Sequence, residues 1–421
     1  MKIAFFADVL LPPLGGIETH VLETSLALME LGHEVRIFTP TTKKDLEGLS
    51  QTPYASLNIH PCLGLPLPFI WTNFRFSYPI YLKGYFKNWR PDVIHFHTAG
   101  PICRAAVKIA KTLQQSPQGE ALQMPLYQPN RRPTLNKRPL LAGTFHSYLM
   151  TPEYLSNYRI PKSFIKRLSD YLWKITISLY NNCDVVISPS EWVGQDIKSH
   201  GLTKPIRVVH NGTPLKDFSR RLGNEAISLM VAKYDLSENT LLYVGRLNSE
   251  KGLDVLLKAL KIVNQELNAK RFSLASLLIV GDGPLEPVLI KLAQSLKIED
   301  KIKFLGRIAH ENLTKSGVYE VSQAFVTAST SENQPITIIE AMAKGLPIIG
   351  VRARGLPDII KDNGLLANPN DPEDLAQKVV ELLSDKVKRE KMSQESQKMA
   401  QEYSVDNTAQ NLLKVYTRQT V

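Results

Sequence analysis

Cysteine is scarce in this chain of 421 residues, which contains only Cys62, Cys103 and Cys183 and no Cys-x-x-Cys pair. An odd number of widely spaced cysteines argues against a disulfide framework and predicts a reducing, cytoplasmic compartment. No apolar run reaches about 18 residues, so the sequence predicts no transmembrane helix. The apolar first residues are interrupted by Asp8 and a pair of prolines, which indicates a buried strand rather than a signal peptide.

Two signatures of nucleotide sites are missing as well. No Asp-x-Asp occurs anywhere, which removes the usual metal–diphosphate clamp. No Gly-x-Gly-x-x-Gly follows the first apolar run, where a dinucleotide-binding fold carries that fingerprint. The absence of this fingerprint argues against an NAD-dependent oxidoreductase.

Acidic residues are few in the first half of the chain. Lys and Arg outnumber Asp and Glu by 23 to 14 in residues 1–212 and by 16 to 4 in residues 75–174, within a net charge of +11 for the whole chain. A one-sided basic surface predicts an acidic partner, which could be a phosphorylated ligand, an anionic membrane or a nucleic acid. No RNA- or DNA-binding motif accompanies the charge, which argues against a nucleic-acid-binding protein.

Basic and aromatic residues are interleaved in two segments of this half, a predicted helix over Lys162–Tyr180 and the segment Tyr81–Arg90. Such surfaces lie on anionic lipid leaflets. An amphipathic helix packed on the core, with a solvated basic face, is the alternative. The basic residues are Lys83, Lys87, Arg90, Lys162, Lys166, Arg167 and Lys174, and the apolar ones are Tyr81, Tyr85, Phe86, Trp89, Phe164, Ile165, Leu168, Tyr171, Leu172 and Trp173.

Strand and helix signals alternate along the chain. Apolar runs such as KIAFFAD, PDVIHFHT and DVVISPS in the first half, and TLLYVGRL, LASLLIVGDG and LPIIGV in the second, are separated by helical segments. This alternation predicts an α/β fold of two Rossmann-like domains with parallel sheets. We predict domains at residues 1–212 and 213–395, and a helix over 396–421 that returns to the first domain. Residues 114–138 are polar and proline-rich, which predicts a flexible insertion in the first domain.

Ligands bind at the carboxyl ends of the strands in such sheets, and two predicted strand ends carry suitable residues. Arg246 and Lys251 follow the strand TLLYV, and two cations at one strand end suit a diphosphate. Gly281 in IVGDGP permits close approach of the backbone to a ligand. Two solvated surface charges and an ordinary strand-to-helix turn are the alternatives for these loops.

A third loop reads SENQPITIIEAMAKG over residues 331–345. Pro335 suits the first turn of a helix, where the N–H groups and the helix dipole favour an anion. Glu340 lies about one turn into this helix and Glu332 precedes it, so the two carboxylates can bracket a ligand without pairing. Carboxylates accept hydrogen bonds from vicinal sugar hydroxyls. The alternative is that Glu332 complements the helix dipole and that Glu340 is a surface charge.

Histidines lie at the ends of two predicted strands in the first half. His95 and His97 share one face of a strand by its period of two, and His146 follows another strand. A histidine at a strand end is more often a hydrogen-bonded core residue than a catalyst. The pair suggests a metal site, but no third and fourth ligands follow at a suitable spacing, so we predict neither a metal nor a cofactor.

The order and spacing of these loops resemble the retaining glycosyltransferases of family 4, which have the GT-B fold. The resemblance covers nearly the whole chain and rests on LPPLGGIETHV, PDVIHFHT, GTFH, PSEW, VVHNG, YVGRLNSEKGLDVLLKA, IVGDGPL, FLGRI, ASTSENQPITIIEAMAKGLPIIG and GLLANPNDPEDLA. It implies two Rossmann-like domains facing across a cleft, with a nucleotide-diphosphate sugar held mainly by the C-terminal domain and the acceptor on the N-terminal side. It also implies front-face transfer with retention of the anomeric configuration and without a metal.

The resemblance assigns roles to single residues. His146 matches a histidine near the donor sugar that assists transfer. Glu332 and Glu340 match the family's Glu-x7-Glu motif, in which the first contacts the donor sugar and the second binds the ribose hydroxyls. The other donor-binding positions are the diphosphate clamp of Arg246 and Lys251, the base-contacting loop at Arg307 and Ile308, the glycine loop at Gly16, and Gly281, Gln334, Pro335 and Ile336.

One departure from the family concerns the residues after Glu332. The family usually has a glycine-rich run there, whereas this chain has Asn333, Gln334 and Pro335. Proline lacks the backbone N–H that could meet the sugar or phosphate, so this tripeptide bears on donor specificity.

Within the family, the basic first half resembles that of membrane-associated members that glycosylate lipids. The sequence therefore predicts a cytoplasmic, peripheral membrane enzyme that moves a hexose from a UDP- or GDP-sugar to a lipid or lipid-linked acceptor. A glycosyltransferase with a soluble sugar or polysaccharide acceptor is the first alternative. An epimerase of nucleotide sugars shares the two-domain architecture and is a further alternative.

Overall fold

The computed structural model describes residues 1–10, 15–66, 75–77, 82–114, 138–146, 148, 150–156, 160–218 and 222–419. These residues form two compact units. The first unit comprises Met1–Met150, Lys166–Gly212 and Val405–Val421, and the second comprises Thr151–Ile165 and Thr213–Ser404. The predicted insertion at 114–138 falls almost entirely on residues outside the described part.

The strands and helices alternate along both units. The strands are β1 (Lys2–Phe6), β2 (Glu34–Pro40), β3 (Ile59–Cys62), β4 (Gly64–Pro66), β5 (Arg75–Ser77), β6 (Val93–Phe96), β7 (Leu140–Thr144), β8 (Val185–Ser188), β9 (Ile206–Val208), β10 (Asn239–Val244), β11 (Ala275–Val280), β12 (Ile302–Phe304), β13 (Ala324–Val326), β14 (Ile348–Val351) and β15 (Gly364–Ala367). The helices are α1 (Gly16–Glu30), α2 (Lys43–Leu49), α3 (Leu82–Asn88), α4 (Pro101–Gln114), α5 (Pro152–Leu155), α6 (Lys162–Tyr180), α7 (Glu191–Ser199), α8 (Leu215–Phe218), α9 (Asn224–Tyr234), α10 (Leu253–Ala269), α11 (Glu286–Leu296), α12 (His310–Leu313), α13 (Ile336–Ala343), α14 (Leu356–Ile359), α15 (Pro372–Ser384), α16 (Lys386–Ala400) and α17 (Val405–Tyr416).

The first unit is built on a parallel sheet with strand order β3-β2-β1-β6-β7-β8-β9. Its central strands β1, β6, β7 and β8 are near-continuous buried runs, because both faces of the sheet are covered. In β1, Ile3 and Phe5 join a core cluster that includes residues of α1 and α17, whereas Ala4 and Phe6 join a cluster that includes residues of α4, α6 and α7. The alternating side chains of one strand thus contribute to the core on both faces of the sheet.

Asp8 follows the apolar run that contains β1, and its side chain is buried. Its carboxylate accepts hydrogen bonds from the backbone N–H groups of Gly100 and Ile102, at 2.9 and 2.8 Å, and from the hydroxyl of Thr98 at 2.6 Å. Burial raises the pKa of Asp8, and these hydrogen bonds offset only part of that rise. The carboxylate therefore fixes the end of β1 to the start of α4 at the carboxyl edge of the sheet.

The second unit is built on a parallel sheet with strand order β12-β11-β10-β13-β14-β15. A single large apolar cluster joins its strands to the helices around them, among them α10, α13 and α15. The two parallel sheets confirm the predicted α/β fold with two Rossmann-like domains.

Two sequence predictions differ from the structure at the level of elements. The helix predicted over 396–421 is not continuous, because the backbone is extended at Ser404 and separates α16 from α17. There the N–H of Thr213 donates to the carbonyl of Tyr403 at 3.0 Å, so a β-bridge replaces a helical turn. The short strands β3 and β15 and the hairpin of β4 and β5 were not predicted.

Candidate active site

The predicted donor residues of the second unit follow neighbouring strands of one sheet. The loops after β10, β11, β12 and β13 start at the carboxyl ends of parallel strands, so they emerge at the same edge of the sheet. These loops, together with the start of α13, contain Arg246, Lys251, Gly281, Arg307, Ile308, Glu332, Gln334, Pro335, Ile336 and Glu340.

Backbone contacts join the first three of these loops. The N–H of Gly281 donates to the carbonyl of Gly306 at 2.8 Å, and the N–H of Gly245 donates to the carbonyl of Val280 at 2.9 Å. Gly281 has a φ of +138°, and a Cβ atom there would lie 1.9 Å from the carbonyl oxygen of Gly245. The structure thus requires glycine at position 281 for the packing of one loop on another, whether or not a ligand approaches it.

Lys251 and Glu332 form an ion pair, with Nζ 2.6 Å from Oε1. Both side chains are largely buried, at 13% and 18% exposure. Burial raises the pKa of Glu332, but the charge and hydrogen bond of Lys251, with smaller contributions from Ser329 and Arg246, bring it below its usual value. Glu332 is therefore ionised at neutral pH, and its charge already compensates that of Lys251.

Arg246 is the more accessible of the two predicted phosphate-binding cations. Its side chain is 47% exposed, and Nη2 lies 3.8 Å from Oε1 of the almost fully buried Glu250. The carbonyl of Arg246 accepts a hydrogen bond from the hydroxyl of Tyr243 at 3.0 Å, which holds the loop backbone against β10. A guanidinium at this edge can bind a diphosphate with two parallel hydrogen bonds.

The loop between Glu332 and α13 is held in place by Gly355, which lies after β14. Pro335 is the N-cap of α13, and Ile336 is its first residue. The N–H of Gly355 donates to the carbonyl of Glu332 at 3.1 Å, and a Cβ on Gly355 would lie 1.7 Å from the carbonyl oxygen of Asn333. The side chains of Gln334 and Ile336 are buried, so these two residues shape the loop.

Glu340 lies in a buried polar cluster rather than on the surface. Its side chain is 1% exposed, with Oε1 2.6 Å from Nε2 of His310, and Oε2 accepts a hydrogen bond from the hydroxyl of Tyr319 at 3.0 Å. Burial, with the neighbouring carboxylate, raises the pKa of Tyr319 well above its usual value, so the phenol remains a donor. The interpretation of Glu340 as a surface charge is wrong. Sequence reasoning missed both partners, which lie 30 and 21 residues away in the chain.

The predicted base-contacting loop follows β12. Arg307 is exposed, and Ile308 is half-buried against the apolar cluster of the second unit. In the first unit, Gly16 is exposed and begins α1 after the extended residue Gly15. The residues immediately before this glycine pair, 11–14, lie outside the described part of the chain.

Four histidines cluster near the carboxyl ends of β6 and β7 in the first unit. The rings of His95 and His97 are 4.2 Å apart, as their shared face predicted. His95 is a hydrogen-bonded core residue, with Nδ1 2.6 Å from the hydroxyl of Tyr416 and Nε2 2.7 Å from that of Thr144. His97 differs, because its Nδ1 lies 3.2 Å from Nε2 of His146.

His20, His97 and His146 each bring a ring nitrogen within 4.8 Å of the other two. The prediction of no metal considered ligands by their spacing in the sequence, and it missed His20, which α1 brings to the cluster. Burial lowers the pKa of His20 to about 4 and holds those of His97 and His146 well below their usual value, so all three rings are neutral at pH 7. Neutral imidazoles can hydrogen-bond to one another or bind a transition metal.

The basic-aromatic helix α6 has the bounds that the sequence predicted. Phe164, Arg167, Tyr171 and Lys174 are exposed and lie three or four residues apart, which places them on one face. Phe164 and Tyr171 are 54% and 60% exposed, whereas Trp173 is buried and stacks on a histidine of the first unit. We call Phe164, Arg167, Tyr171 and Lys174 the α6 face. Within the part of the chain that the structure describes, no helix is both long and apolar enough to cross a membrane.

Two family models match the chain. Glycosyltransferase Family 4 matches residues 14–118 and 126–217, and Glycosyl transferases group 1 matches residues 231–399. The second match contains all of the predicted donor loops of the second unit, from Arg246 to Glu340.

The chain is also similar to individual relatives and to solved structures. The chain is 28% identical to the alpha-monoglucosyldiacylglycerol synthase of Streptococcus pneumoniae over 91% of its own length and 78% of that protein. It is 26% identical to a sulfoquinovosyl transferase of Arabidopsis thaliana over 75% of its own length, but the match spans only 54% of that protein. Among solved structures, HepE of Anabaena in complex with UDP and glucose is similar over 99% of this chain and 100% of that chain, with a TM-score of 0.71 at 18% identity. The lipopolysaccharide glycosyltransferase WaaG is similar with a TM-score of 0.65 at 15% identity, over 98% of this chain and 99% of that chain.

Proposed function

Because the chain belongs to the GT-B glycosyltransferases, with a family 4 domain followed by a group 1 domain, we propose that it transfers a hexose from a nucleotide-diphosphate sugar to a lipid or lipid-linked acceptor at a membrane surface. The transfer retains the anomeric configuration and requires no metal or cofactor. The observation that carries the proposal is the group of ligand-suited loops at one edge of the second sheet, which lie within the match to the group 1 model.

In the donor site that we propose, different loops bind different parts of the nucleotide sugar. Arg246 binds the diphosphate together with Lys251, whose own charge is compensated by Glu332. Glu332 accepts hydrogen bonds from the donor sugar, and Glu340 binds the ribose. Since both oxygens of Glu340 have partners inside the second unit, ribose binding requires His310 to move or to share the carboxylate.

A uridine nucleotide is the donor that we favour. The structure of HepE contains UDP and glucose, and its fold matches this chain throughout. The buried Asn333 and Gln334, in place of the family's glycine-rich run, are the positions at which we expect donor-sugar specificity to reside.

Lipid acceptors are favoured by the relatives. The alpha-monoglucosyldiacylglycerol synthase is named for a glycolipid product, and the sulfoquinovosyl transferase is named for the sugar that it transfers. The α6 face adds exposed aromatic rings between basic side chains, which is the chemistry that binds an anionic leaflet. We therefore place the enzyme on the cytoplasmic face of a membrane as a peripheral protein.

The donor site is tested by thermal shift of the full chain with UDP, GDP, ADP and their sugars. A ligand that binds only the folded state raises the melting temperature by mass action. We expect a rise with uridine nucleotides that is much smaller in Arg246→Ala and in Glu340→Gln, each measured against its own ligand-free sample. Glutamine keeps the shape of Glu340 while removing its charge.

Lys258→Ala is the matched control, because Lys258 is an exposed cation of the same unit on α10 and lies outside the predicted loops. It should keep the full shift. Equal shifts in wild type, Arg246→Ala and Glu340→Gln would overturn the assignment of the donor site.

Membrane association is tested by co-sedimentation with vesicles of phosphatidylglycerol and phosphatidylcholine. Reversal of two charges in Arg167→Glu/Lys174→Glu should weaken binding about tenfold or more, since each basic residue near an anionic surface contributes roughly 1 kcal/mol. The control Lys258→Glu/Lys270→Glu makes the same change in net charge at two exposed positions, one within α10 and one at its end. It should bind the vesicles as wild type does.

Binding that is insensitive to salt, or that weakens equally in the two reversal variants, would contradict electrostatic docking through the α6 face. Transfer to a water-soluble acceptor in the absence of lipid would instead favour the alternative of a soluble acceptor.

A further inference from the structure

His146 and His97 contact each other through ring nitrogens at the carboxyl edge of the first sheet. Nδ1 of His97 lies 3.2 Å from Nε2 of His146, with the two rings nearly parallel. His146 is half-buried, whereas His97 is 1% exposed. In this pair, His146 is accessible to a ligand, whereas His97 is not.

His97 is held firmly in the fold. Its backbone N–H donates to the carbonyl of Phe6 at 2.9 Å, which continues the pairing of β6 with β1. Its ring packs edge-on against Phe5 at 4.7 Å and lies 4.2 Å from His95, which hydrogen bonds fix to Tyr416. A ring supported in this way presents its nitrogens in one orientation.

The position of the proton in the pair follows from the second nitrogen of His97. Nε2 of His97 is buried and has no hydrogen-bond partner among the described residues. A proton there would be a buried donor with no acceptor, which costs free energy, whereas a proton on Nδ1 is used in the hydrogen bond to His146. With both rings neutral, Nε2 of His146 then accepts, and the proton of His146 lies on Nδ1.

We propose that His97 is a positioning residue that fixes the tautomer and the orientation of His146, so that His146 offers an N–H donor at Nδ1 to an oxygen of the bound substrate. The proposal rests on the proposed function and on the match of His146 to the family's histidine near the donor sugar. The other tautomer would present a bare nitrogen, which repels an electron-rich oxygen instead of stabilising it.

The tautomer is measured directly by NMR of the full chain labelled with [¹⁵N]histidine at pH 7, without substrate. His146 is assigned by comparison with His146→Phe. We expect Nδ1 of His146 to be protonated and Nε2 unprotonated. Wild-type protein with the proton of His146 on Nε2 would overturn the proposal, and this result does not depend on whether the chain is an active transferase.

Two variants of His97 separate positioning from packing. His97→Asn keeps an N–H donor near the place of Nδ1, and His97→Leu removes it. We expect the asparagine variant to keep the tautomer of His146 and the leucine variant to lose it. With nucleotide sugar as donor, kcat of the leucine variant should fall about 10- to 1000-fold, while its KM stays within about threefold of wild type. The asparagine variant should lose less of its kcat than the leucine variant.

Two outcomes would contradict the proposal. The same tautomer of His146 in the leucine variant would show that His97 only fills space. One equivalent of Zn²⁺ bound by wild type and lost in His20→Ala would show that the three histidines form a metal site, because a metal would take the lone pair that the hydrogen bond requires.

Discussion

The two glutamates of SENQPITIIEAMAKG lie in different electrostatic environments, although they are eight residues apart in one loop and helix. Glu332 is ionised beside Lys251, whereas Glu340 is enclosed with His310 and Tyr319. The spacing indicated that the two carboxylates need not pair, and in the structure each contacts other residues. It could not predict the enclosure of Glu340, because that depends on α12 and on the segment before β13, which the sheet brings together.

The ion pair of Lys251 and Glu332 should make stability depend on acid pH. The pKa of Glu332 is lower in the folded chain than its usual 4.5, so the pair stabilises the fold above about pH 4.5 and loses this contribution as pH falls through the folded value. Lys251→Met should lower the free energy of unfolding by about 3–5 kcal/mol at pH 7, because it leaves the charge of Glu332 largely buried without its partner. It should also remove this acid-dependent loss, which urea unfolding between pH 3 and pH 7 measures.

Lys258→Met is the control for this variant, because its pair with Asp254 is about half exposed and should contribute at most about 0.5 kcal/mol. An unchanged dependence of stability on pH in Lys251→Met would refute the role of the ion pair.

The strands and helices that frame the site were largely predictable from the sequence, since buried parallel strands are short apolar runs bounded by polar loops. The exceptions have physical reasons. Strands β3 and β15 lie at the sheet edges and are only partly buried, and they contain Pro61 and Gly364, residue types that weaken a strand signal. Ser404 interrupts a helical pattern because its backbone bridges to Thr213. Pairing between residues far apart in the chain leaves no local trace in the sequence.

The loops at the edge of the second sheet should depend on glycine at position 281. Gly281→Ala places a Cβ 1.9 Å from a carbonyl oxygen at a φ of +138°, so we expect a loss of about 2–4 kcal/mol in the free energy of unfolding. Gly223→Ala is the control, because that glycine has a φ of −67° and, among the described residues beyond its chain neighbours, no atom lies within 4 Å of the added Cβ.

Thermal and urea unfolding of the two variants check this prediction. Gly223→Ala should lose no more than about 1 kcal/mol, because Gly223 is the N-cap of α9 and alanine is a poorer N-cap than glycine. Wild-type stability in Gly281→Ala would mean that the loops after β10 and β11 do not pack as described.

At the scale of the whole molecule, the charge is divided unequally between the two halves. Lys and Arg outnumber Asp and Glu by 23 to 14 in residues 1–212, which accounts for most of the net charge of +11. The donor residues that we propose lie mainly in the other half. A basic half with the exposed α6 face and a second half with the donor loops suit an enzyme that takes a soluble nucleotide sugar and delivers the sugar to an anionic surface.

Transfer of labelled sugar to lipid tests this account most directly. The full chain is incubated with UDP-glucose, UDP-galactose or GDP-mannose, each labelled in the sugar, and with vesicles of diacylglycerol and phosphatidylglycerol. The label is then followed into the lipid extract, and the anomeric configuration of the product is read by NMR. We predict a glycolipid that retains the α-configuration of its donor. Label that stays in the aqueous phase with every donor, or a glycolipid of inverted configuration, would contradict the account.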